Sequence, residues 1–299
     1  MTNPCENGEC CGRGDVTERE GGIAFPGTYE HDSPWKFYNH LIGGIPEDIL
    51  VKRVCAGVHW VYVEAESGMG SAFSTSGGTS RHAYAGSLTG RSLREDAELS
   101  KSWNFREASF GVAALNAWYA QKERTDALGA VYDPAEPKAA GAEVSRDSID
   151  GKPRKSDVFE VLMPDLAGKK VTVIGHFPHI ERVAEIAELT VLERNCTSDI
   201  DTPDPACEYV LPSQDYVFMT GVTIINKTAP RLLDLTKQAH NVFVGPSVVP
   251  AEFVFSWGVD VIAGSVVVDP EKLRALVEEG AGMMFGDALQ MYRIDRRAC

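Results

Sequence analysis

The feature that most constrains the fold is an alternation, in the second half of the chain, of short apolar runs with polar or amphipathic stretches. The runs are "KVTVIG", "LTVLER", "DYVFMTG", "NVFVGPS" and "VDVIAGSVV". Continuous apolar runs of this length are typical of strands that are buried on both faces, and a helix between successive strands makes those strands parallel. Residues 157–299 are therefore predicted to form an α/β domain, a Rossmann-like parallel sheet with helices on both faces.

The residues before this domain divide into three segments of different composition. Residues 1–33 contain glycines and charges but no hydrophobic period, which is typical of a flexible arm without a core of its own. Residues 34–130 contain an apolar-rich helix, "NFREASFGVAALNAWYAQ", and an alternating pattern around Val54 to Val63, which together predict a small α+β domain. Residues 131–156 are rich in Gly, Pro, Asp and Lys and are interpreted as a linker.

The charge and the cysteine content exclude several classes of protein. A formal net charge of -14 repels polyanions, so the sequence disfavours nucleic acid and anionic membranes as partners. No stretch approaches the roughly 20 apolar residues that span a bilayer, and the N-terminus lacks the pattern of a secretory signal. Seven cysteines are an odd number, which favours free thiols in a reducing compartment. The sequence therefore predicts a cytoplasmic protein with small molecules as partners, and it leaves a homo-oligomer open.

Candidate ligand-binding residues follow three of the predicted strands, because the carboxyl ends of parallel strands are where open α/β sheets bind ligands. They are Gly175, His176 and Phe177 in the first loop, Thr220, Gly221 and Asn226 in the second, and Gly245, Pro246 and Ser247 in the third. Gly175 allows close backbone approach, and Ser247 is predicted to be the N-cap of the following helix. The N-terminus of that helix would favour an anionic ligand.

An adenosine cofactor is the alternative that the first loop raises. The turn has one glycine where the dinucleotide fingerprint has three, and His176 stands where that fingerprint continues toward a second glycine. NAD is therefore disfavoured. Glu193, at the end of the second predicted strand, lies near the spacing at which such proteins bind a ribose hydroxyl, so a cofactor such as S-adenosylmethionine stays open.

A metal site in the N-terminal arm is a third hypothesis. Cys5, Cys10 and Cys11 place three thiols within seven residues, and thiolates bind zinc, copper(I) or iron–sulfur clusters. Their spacing matches neither a C-x-x-C zinc motif nor a ferredoxin run. The arm could therefore carry a transition metal, or its cysteines could be incidental.

Three stretches of the C-terminal half resemble a known family. The segments "KKVTVIGHFPHIERV", "YVLPSQDYVFMTGVTIINKT" and "VFVGPSVVPAEFVFSWGVDVIAGSVVVDPEKLRALVEEG" look like the C-terminal domain of the putative heavy-metal chelation family, whose members have no established function. The segment "WNFREASFGVAALNAW" resembles the smaller domain that precedes it, which is similar in fold to the N-terminal domain of enolase. The resemblance implies an enolase-N-like domain followed by a Rossmann-like domain, with a site in the cleft between them.

We therefore expect a protein that binds a small anionic metabolite, a metal chelator or a metal–chelator complex in the interdomain cleft. The residues do not define an acid, a base and a nucleophile together, so the sequence leaves open whether the protein is an enzyme of chelator synthesis or handling. The alternatives are an enzyme that uses an adenosine cofactor and a metal carrier that uses the N-terminal cysteines.

Overall fold

The computed structural model describes residues 34–133, 157–178, 180–282 and 288–296. The first described part, residues 34–130, is called the N-terminal region below. It contains a three-stranded antiparallel sheet in the order β1-β2-β3, packed against a long helix, α3. Its elements are α1 (Trp35–Gly43), β1 (Val51–Ala56), β2 (Trp60–Ala65), β3 (Gly68–Phe73), α2 (Leu93–Ala97), α3 (Phe105–Tyr119) and α4 (Lys122–Ala127).

The C-terminal region, residues 157–296, supplies seven of the eight strands of a second sheet. Its strands are β5 (Lys170–Ile174), β6 (Glu188–Glu193), β7 (Asp201–Pro203), β8 (Tyr216–Thr220), β9 (His240–Val244), β10 (Val261–Val267) and β11 (Leu289–Asp295), and the eighth strand is β4 (Val131–Tyr132). Its helices are α5 (Val158–Leu166), α6 (Glu181–Ala184), α7 (Cys207–Val210), α8 (Val222–Ile225), α9 (Ala229–Leu235), α10 (Glu252–Ser256) and α11 (Pro270–Glu278).

The order of strands in the large sheet is β4-β11-β10-β9-β8-β5-β6-β7. The strands from β10 to β7 are parallel, whereas β11 pairs antiparallel with β10, and β4 pairs antiparallel with β11 at the edge. Counted from β5, the parallel strands have the order 3-2-1-4-5-6, which is that of doubly wound sheets that bind dinucleotides. The predicted α/β class with a parallel sheet is confirmed.

Both faces of the large sheet are buried, as the continuous apolar runs predict. Along β5, Val171 and Val173 join one apolar cluster with α5, while Ile174 joins the cluster on the opposite face. Side chains of a strand alternate between the two faces, so a run whose residues are mostly apolar contributes to both clusters.

The two regions share one apolar core. The same cluster contains Phe37 and Val61 of the N-terminal region together with Met219 and Ile262 of the large sheet. The hydroxyl of Tyr38, which is fully buried, donates to the backbone oxygen of Ile224 at 2.8 Å. The N-terminal region is therefore packed directly on the sheet.

The first two residues of the predicted linker are part of the large sheet. Val131 and Tyr132 form β4 and pair with β11, and the ring of Tyr132 meets that of Tyr292 with centroids 6.2 Å apart. The rest of the predicted linker, from residue 134 to 156, lies outside the described residues.

Within the described parts of the chain, the helices are all too short or too polar to cross a bilayer.

Candidate functional site

The structure brings two of the predicted ligand-binding loops together where β5 and β8 lie side by side. Gly175 has a positive φ of 101°, and its N–H donates to the backbone oxygen of Leu192 at 3.1 Å. A Cβ atom at Gly175 would lie 3.1 Å from Cγ2 of Thr220. Since β5 and β8 are the strands at which the sheet reverses its winding direction, Gly175 and Thr220 mark the switch point, where doubly wound sheets bind ligands.

His176, the residue after Gly175, is held in place by the carboxylate of Asp201. Its Nε2 lies 2.6 Å from Oδ1 of Asp201, and the other oxygen of Asp201 accepts the N–H groups of Thr197 and Ser198. Burial alone would raise the pKa of Asp201. The hydrogen bonds that the carboxylate accepts outweigh this effect and lower the pKa.

Phe177 and Asn226 make contacts inside the C-terminal region. The ring of Phe177 packs against Phe159 of α5, with centroids 5.5 Å apart. The side-chain oxygen of Asn226, which is 8% exposed, accepts from the N–H and the hydroxyl of Thr228 at 3.1 and 2.6 Å. Both residues therefore stabilise the loops that carry them, and a role in ligand binding stays a prediction for each.

The prediction that Ser247 is a helix N-cap is wrong. The helix α10 begins at Glu252 with Ala251 at its N-cap position, and it has five residues. The hydroxyl of Ser247 instead accepts the N–H of Phe73 at 2.8 Å, a contact with β3 of the N-terminal region. The expected anion site at that helix N-terminus is therefore not supported.

The rest of this loop also contacts the N-terminal region. The backbone oxygen of Pro246 accepts from the side-chain amide of Asn116 at 3.1 Å. Gly221 is confined by the same loop, because a Cβ there would lie 2.4 Å from the carbonyl carbon of Ser247. Gly245 has a positive φ of 105° and hydrogen bonds to Ala263. Pro246 therefore contacts the N-terminal region, whereas the contacts of Gly221 and Gly245 lie within the C-terminal region.

Glu193 lies where the sequence predicts it, at the end of β6. Its carboxylate accepts the N–H of Arg194 at 3.1 Å. The helix that follows Gly175, α6, has only four residues and begins at Glu181. The phosphate site of dinucleotide-binding proteins is built on a longer helix that begins directly after the glycine turn.

The sequence reasoning missed Glu107, a buried acid in the first turn of α3. Glu107 is 3% exposed, and its oxygens accept from the hydroxyl of Ser102 at 2.7 Å and from the N–H of Ala83 at 3.0 Å. Nδ1 of His82 lies 2.8 Å from the same carboxylate. Charged residues are rarely buried without partners, so this set of contacts explains how the acid is tolerated there.

Lys227, which was also missed, reaches from the C-terminal region to the segment that precedes α3. Its φ is 67°, and among the described residues other than glycine it alone has a positive φ. Its ammonium donates to the backbone oxygens of Ser102 and, at 2.7 Å, Ile225. Burial lowers the pKa of Lys227 to about 7, although the nearby Glu107 carboxylate acts in the opposite direction.

The side chains of Arg194 and Lys227 both lie near the ring of Phe105. The guanidinium of Arg194 lies 5.8 Å from the ring centroid of Phe105, and Nζ of Lys227 lies 5.5 Å from it. Nζ of Lys227 is also 5.9 Å from the ring of Trp103, which is 46% exposed. We call the set of Gly175, Arg194, Thr220, Lys227, Trp103 and Phe105 the switch-point site, because the first four lie at the ends of β5, β6 and β8 or in the connections that follow them, and the two rings lie beside Arg194 and Lys227.

A separate open pocket of about 610 Å³ lies at the other end of α3. Trp118 and Arg124 line it from the N-terminal region, and Pro250 and Glu252 line it from the C-terminal region. The guanidinium of Arg124 stacks on Trp118, 3.2 Å from the ring centroid. This pocket contains none of the predicted ligand-binding residues.

The described residues do not assemble a metal site by themselves. No three or more His, Cys, Asp or Glu side chains in this part of the chain lie close enough to hold one ion. Cys5, Cys10 and Cys11 lie outside the described residues, so their role as metal ligands stays a prediction.

Comparison with protein families gives two matches. Residues 157–294 match the DUF364 model, and residues 38–119 match the DUF4213 model. Both models carry the description "putative heavy-metal chelation".

Comparison with solved structures and curated proteins gives relatives in three organisms. A DUF364 protein of unknown function from Desulfitobacterium hafniense is 31% identical, with a TM-score of 0.74 over 87% of this chain and 98% of that one. Another from Pyrococcus horikoshii is 24% identical, with a TM-score of 0.63 over 88% and 98%, and shows the fold alone. An uncharacterised protein of Methanocaldococcus jannaschii is 26% identical over 213 residues, which are 69% of this chain and 72% of that protein.

Proposed function

Because the chain belongs to the putative heavy-metal chelation family, DUF364, we propose that it binds a small anionic metal chelator, or the metal complex of that chelator, at the switch-point site. The metal is cargo in this proposal. Its donors come mainly from the chelator, since the described residues offer no cluster of three protein ligands.

The observation that carries the proposal is the position of Lys227. A positive φ at a residue other than glycine destabilises the backbone by on the order of 1–3 kcal/mol, and such strained residues are typical of functional sites. At Lys227 this backbone conformation occurs together with a desolvated ammonium. An ammonium has three N–H donors, and two described backbone oxygens accept from that of Lys227. One donor is left for an acceptor on a ligand.

The surroundings of Lys227 favour an anion with several oxygens. Arg194, whose side chain is 49% exposed, offers a planar fork of donors that suits a carboxylate. It also lies 3.6 Å from Asp204, so its charge is partly balanced in the absence of a ligand. The exposed face of Trp103 offers an apolar wall beside these charges.

The position in the sheet supports the same conclusion. Lys227 follows α8 in the connection that leaves β8, Arg194 follows β6, and Gly175 follows β5, which lies between β8 and β6. All three therefore leave the carboxyl edge on both sides of the switch point.

The proposal is tested by titrating nitrilotriacetate, and separately its nickel(II) complex, into the full chain by calorimetry. Arg194→Ala and Lys227→Met are each expected to weaken binding roughly 10- to 100-fold, because each removes a charged hydrogen-bond donor worth about 1.5–3 kcal/mol. Arg124→Ala is the matched control, since its guanidinium lies in the separate pocket, and it should leave binding unchanged.

Two results would overturn the proposal. The exposed side chain of Arg194 can be removed without disturbing the core. Unchanged affinity in Arg194→Ala would therefore show that the ligand does not bind at the switch-point site. Loss of binding in Arg124→Ala alone would show that the ligand binds in the separate pocket.

The adenosine cofactor is the second candidate, and the position of Glu193 at the end of β6 favours it. Tight binding of S-adenosylmethionine that Glu193→Ala abolishes would support that function in place of chelator binding.

A further inference from the structure

His82 presents one ring nitrogen to solvent and fixes the other on a buried acid. Its Nδ1 lies 2.8 Å from Oε1 of Glu107, and its side chain is 73% exposed. An ionised carboxylate only accepts hydrogen bonds, so Nδ1 carries the hydrogen, and in the neutral imidazole Nε2 then has the lone pair. Among the described residues Nε2 has no hydrogen-bond partner.

Glu107 is a rigid support for this imidazole. Its side chain is almost fully buried, and both oxygens already accept from other donors, the N–H of Ala83 and the hydroxyl of Ser102. The acid cannot turn away from His82 without losing these bonds. Metal-bound histidines in proteins are typically oriented in this way by a carboxylate on the second nitrogen.

The loop that carries His82 is fixed against the switch-point site. The N–H of Thr79 donates to the backbone oxygen of Trp103 at 2.9 Å, and the N–H of Phe105 donates to that of Gly77 at 3.2 Å. Gly78 has a positive φ of 75°, and a Cβ atom there would lie 1.9 Å from the oxygen of Trp103. The segment that carries His82 is therefore hydrogen-bonded to the segment that supplies Trp103 and Phe105 to the site.

A continuous chain of contacts connects His82 to Lys227. Glu107 binds both His82 and the hydroxyl of Ser102, and the backbone oxygen of Ser102 accepts from the ammonium of Lys227. The imidazole of His82 and the ammonium of Lys227 are thus linked through Glu107 and Ser102.

We propose that Nε2 of His82 is the protein's own ligand to the metal ion of the chelate bound at the switch-point site. The inference rests on the proposed function. Binding is a ligand exchange: the lone pair of Nε2 replaces one water on the metal, the water leaves, and no electron or proton is transferred. Imidazole suits Zn(II), Ni(II), Cu(II) and Co(II), so the cargo is a complex of a divalent transition metal with an open coordination position.

Two nickel(II) complexes test this inference on the full chain. Nickel(II)–nitrilotriacetate keeps water at its open positions, whereas nickel(II)–ethylenediaminetetraacetate has none. The wild-type protein should bind the first with a shift of the visible nickel absorption, as an imidazole nitrogen replaces a water oxygen. His82→Ala should abolish this shift and weaken binding roughly 10- to 100-fold, while the affinity for the second complex stays the same.

Two further variants separate a ligand role from a structural one. His59→Ala removes another exposed histidine, outside the site, and should leave both the spectrum and the affinity unchanged. Glu107→Gln should weaken only the binding of the nitrilotriacetate complex, because it disturbs the orientation of the imidazole and leaves the ring in place.

The failure of this inference is distinct from the failure of the proposed function. If binding depends on Arg194 but His82→Ala keeps the same spectrum and affinity, then His82 is not a metal ligand and the chelator site stands. If neither complex binds in a way that depends on Arg194, then the proposed function fails first, and this inference fails with it.

Discussion

Asp96 is a buried acid whose ionisation should make the stability of the protein depend on pH. It lies on α2, is 1% exposed, and within the described residues neither of its oxygens accepts a hydrogen bond. Nε of Arg91 lies 3.4 Å from Oδ1. Burial raises the pKa of Asp96 from 3.8 to about 7, against the opposing effect of Arg91.

The sign and size of the effect follow from this pKa. Between pH 4 and 7 the folded protein keeps a proton on Asp96 that the unfolded chain has lost, so the free energy of unfolding decreases as the pH rises. At about 1.4 kcal/mol per pKa unit, the full loss is roughly 4 kcal/mol, of which about 3 kcal/mol falls between pH 5 and 8.

Asp96→Asn removes the ionisation and keeps the shape. We expect the variant to be close to the wild type at pH 5 and more stable than it at pH 8, by about 3 kcal/mol relative to the difference at pH 5. Urea unfolding at both values, followed by the fluorescence of the five tryptophans, measures this difference. Asp126→Asn, at an exposed carboxylate of α4, is the control and should change stability by less than about 0.5 kcal/mol.

The other titrating groups are the same in both proteins, so their contributions cancel in the comparison. If Asp96→Asn loses as much stability between pH 5 and 8 as the wild type does, then Asp96 is not protonated in the folded protein and the reasoning is refuted.

Three more predictions follow from the close packing at Gly221, from the titration of Lys227 and from the sequence. Gly221→Ala should destabilise the protein by roughly 1–3 kcal/mol, because its Cβ would meet the backbone at Ser247, whereas Gly43→Ala, with open space around its Cβ, should be tolerated in the same thermal melt. The affinity for nitrilotriacetate should fall as the pH rises above about 7, since the folded Lys227 loses its proton there, and calorimetry that finds the same dependence in Lys227→Met would contradict this. Deleting residues 1–30 should leave the melting temperature unchanged, because that segment has no apolar periodicity, and a large decrease would show that it packs or binds a stabilising metal.

The sequence allowed the prediction of the strands that are continuous apolar runs, from β5 and β6 to β8, β9 and β10. It did not reveal β7, which has three residues, Asp201–Pro203, and pairs only with β6 at the edge of the described sheet. None of its residues is apolar and buried, and a short edge strand of this kind depends on pairing with its neighbour, so it has no pattern that the sequence alone would show. The antiparallel β11 was missed as well, since its buried and partly exposed positions are mixed.

The residues of the candidate site also differ in how far the sequence alone predicts their positions and contacts. The closeness of Gly175 and Thr220 follows from the rule that parallel strands end at one edge, and the structure brings the two residues together. Ser247 has a local pattern typical of an N-cap, but its partner is Phe73, 174 positions away. The roles of Glu107 and Lys227 depend on long-range contacts too, and neither burial of an acid nor a positive φ at a lysine has a signal in a single sequence.

The pairing of β4 with β11 also bears on how the protein is made. It joins residues 131–132 to residues 292–293, so β4 gains its partner only when the ribosome has passed β11. Phe37 and Val61 likewise become fully buried only after the C-terminal strands that complete their apolar cluster have been synthesised. Transiently exposed apolar surface and unpaired strand edges promote aggregation of nascent chains. The apolar cluster that the two regions share, to which Tyr292 and Ile294 of β11 belong, is therefore complete only after β11 has been synthesised.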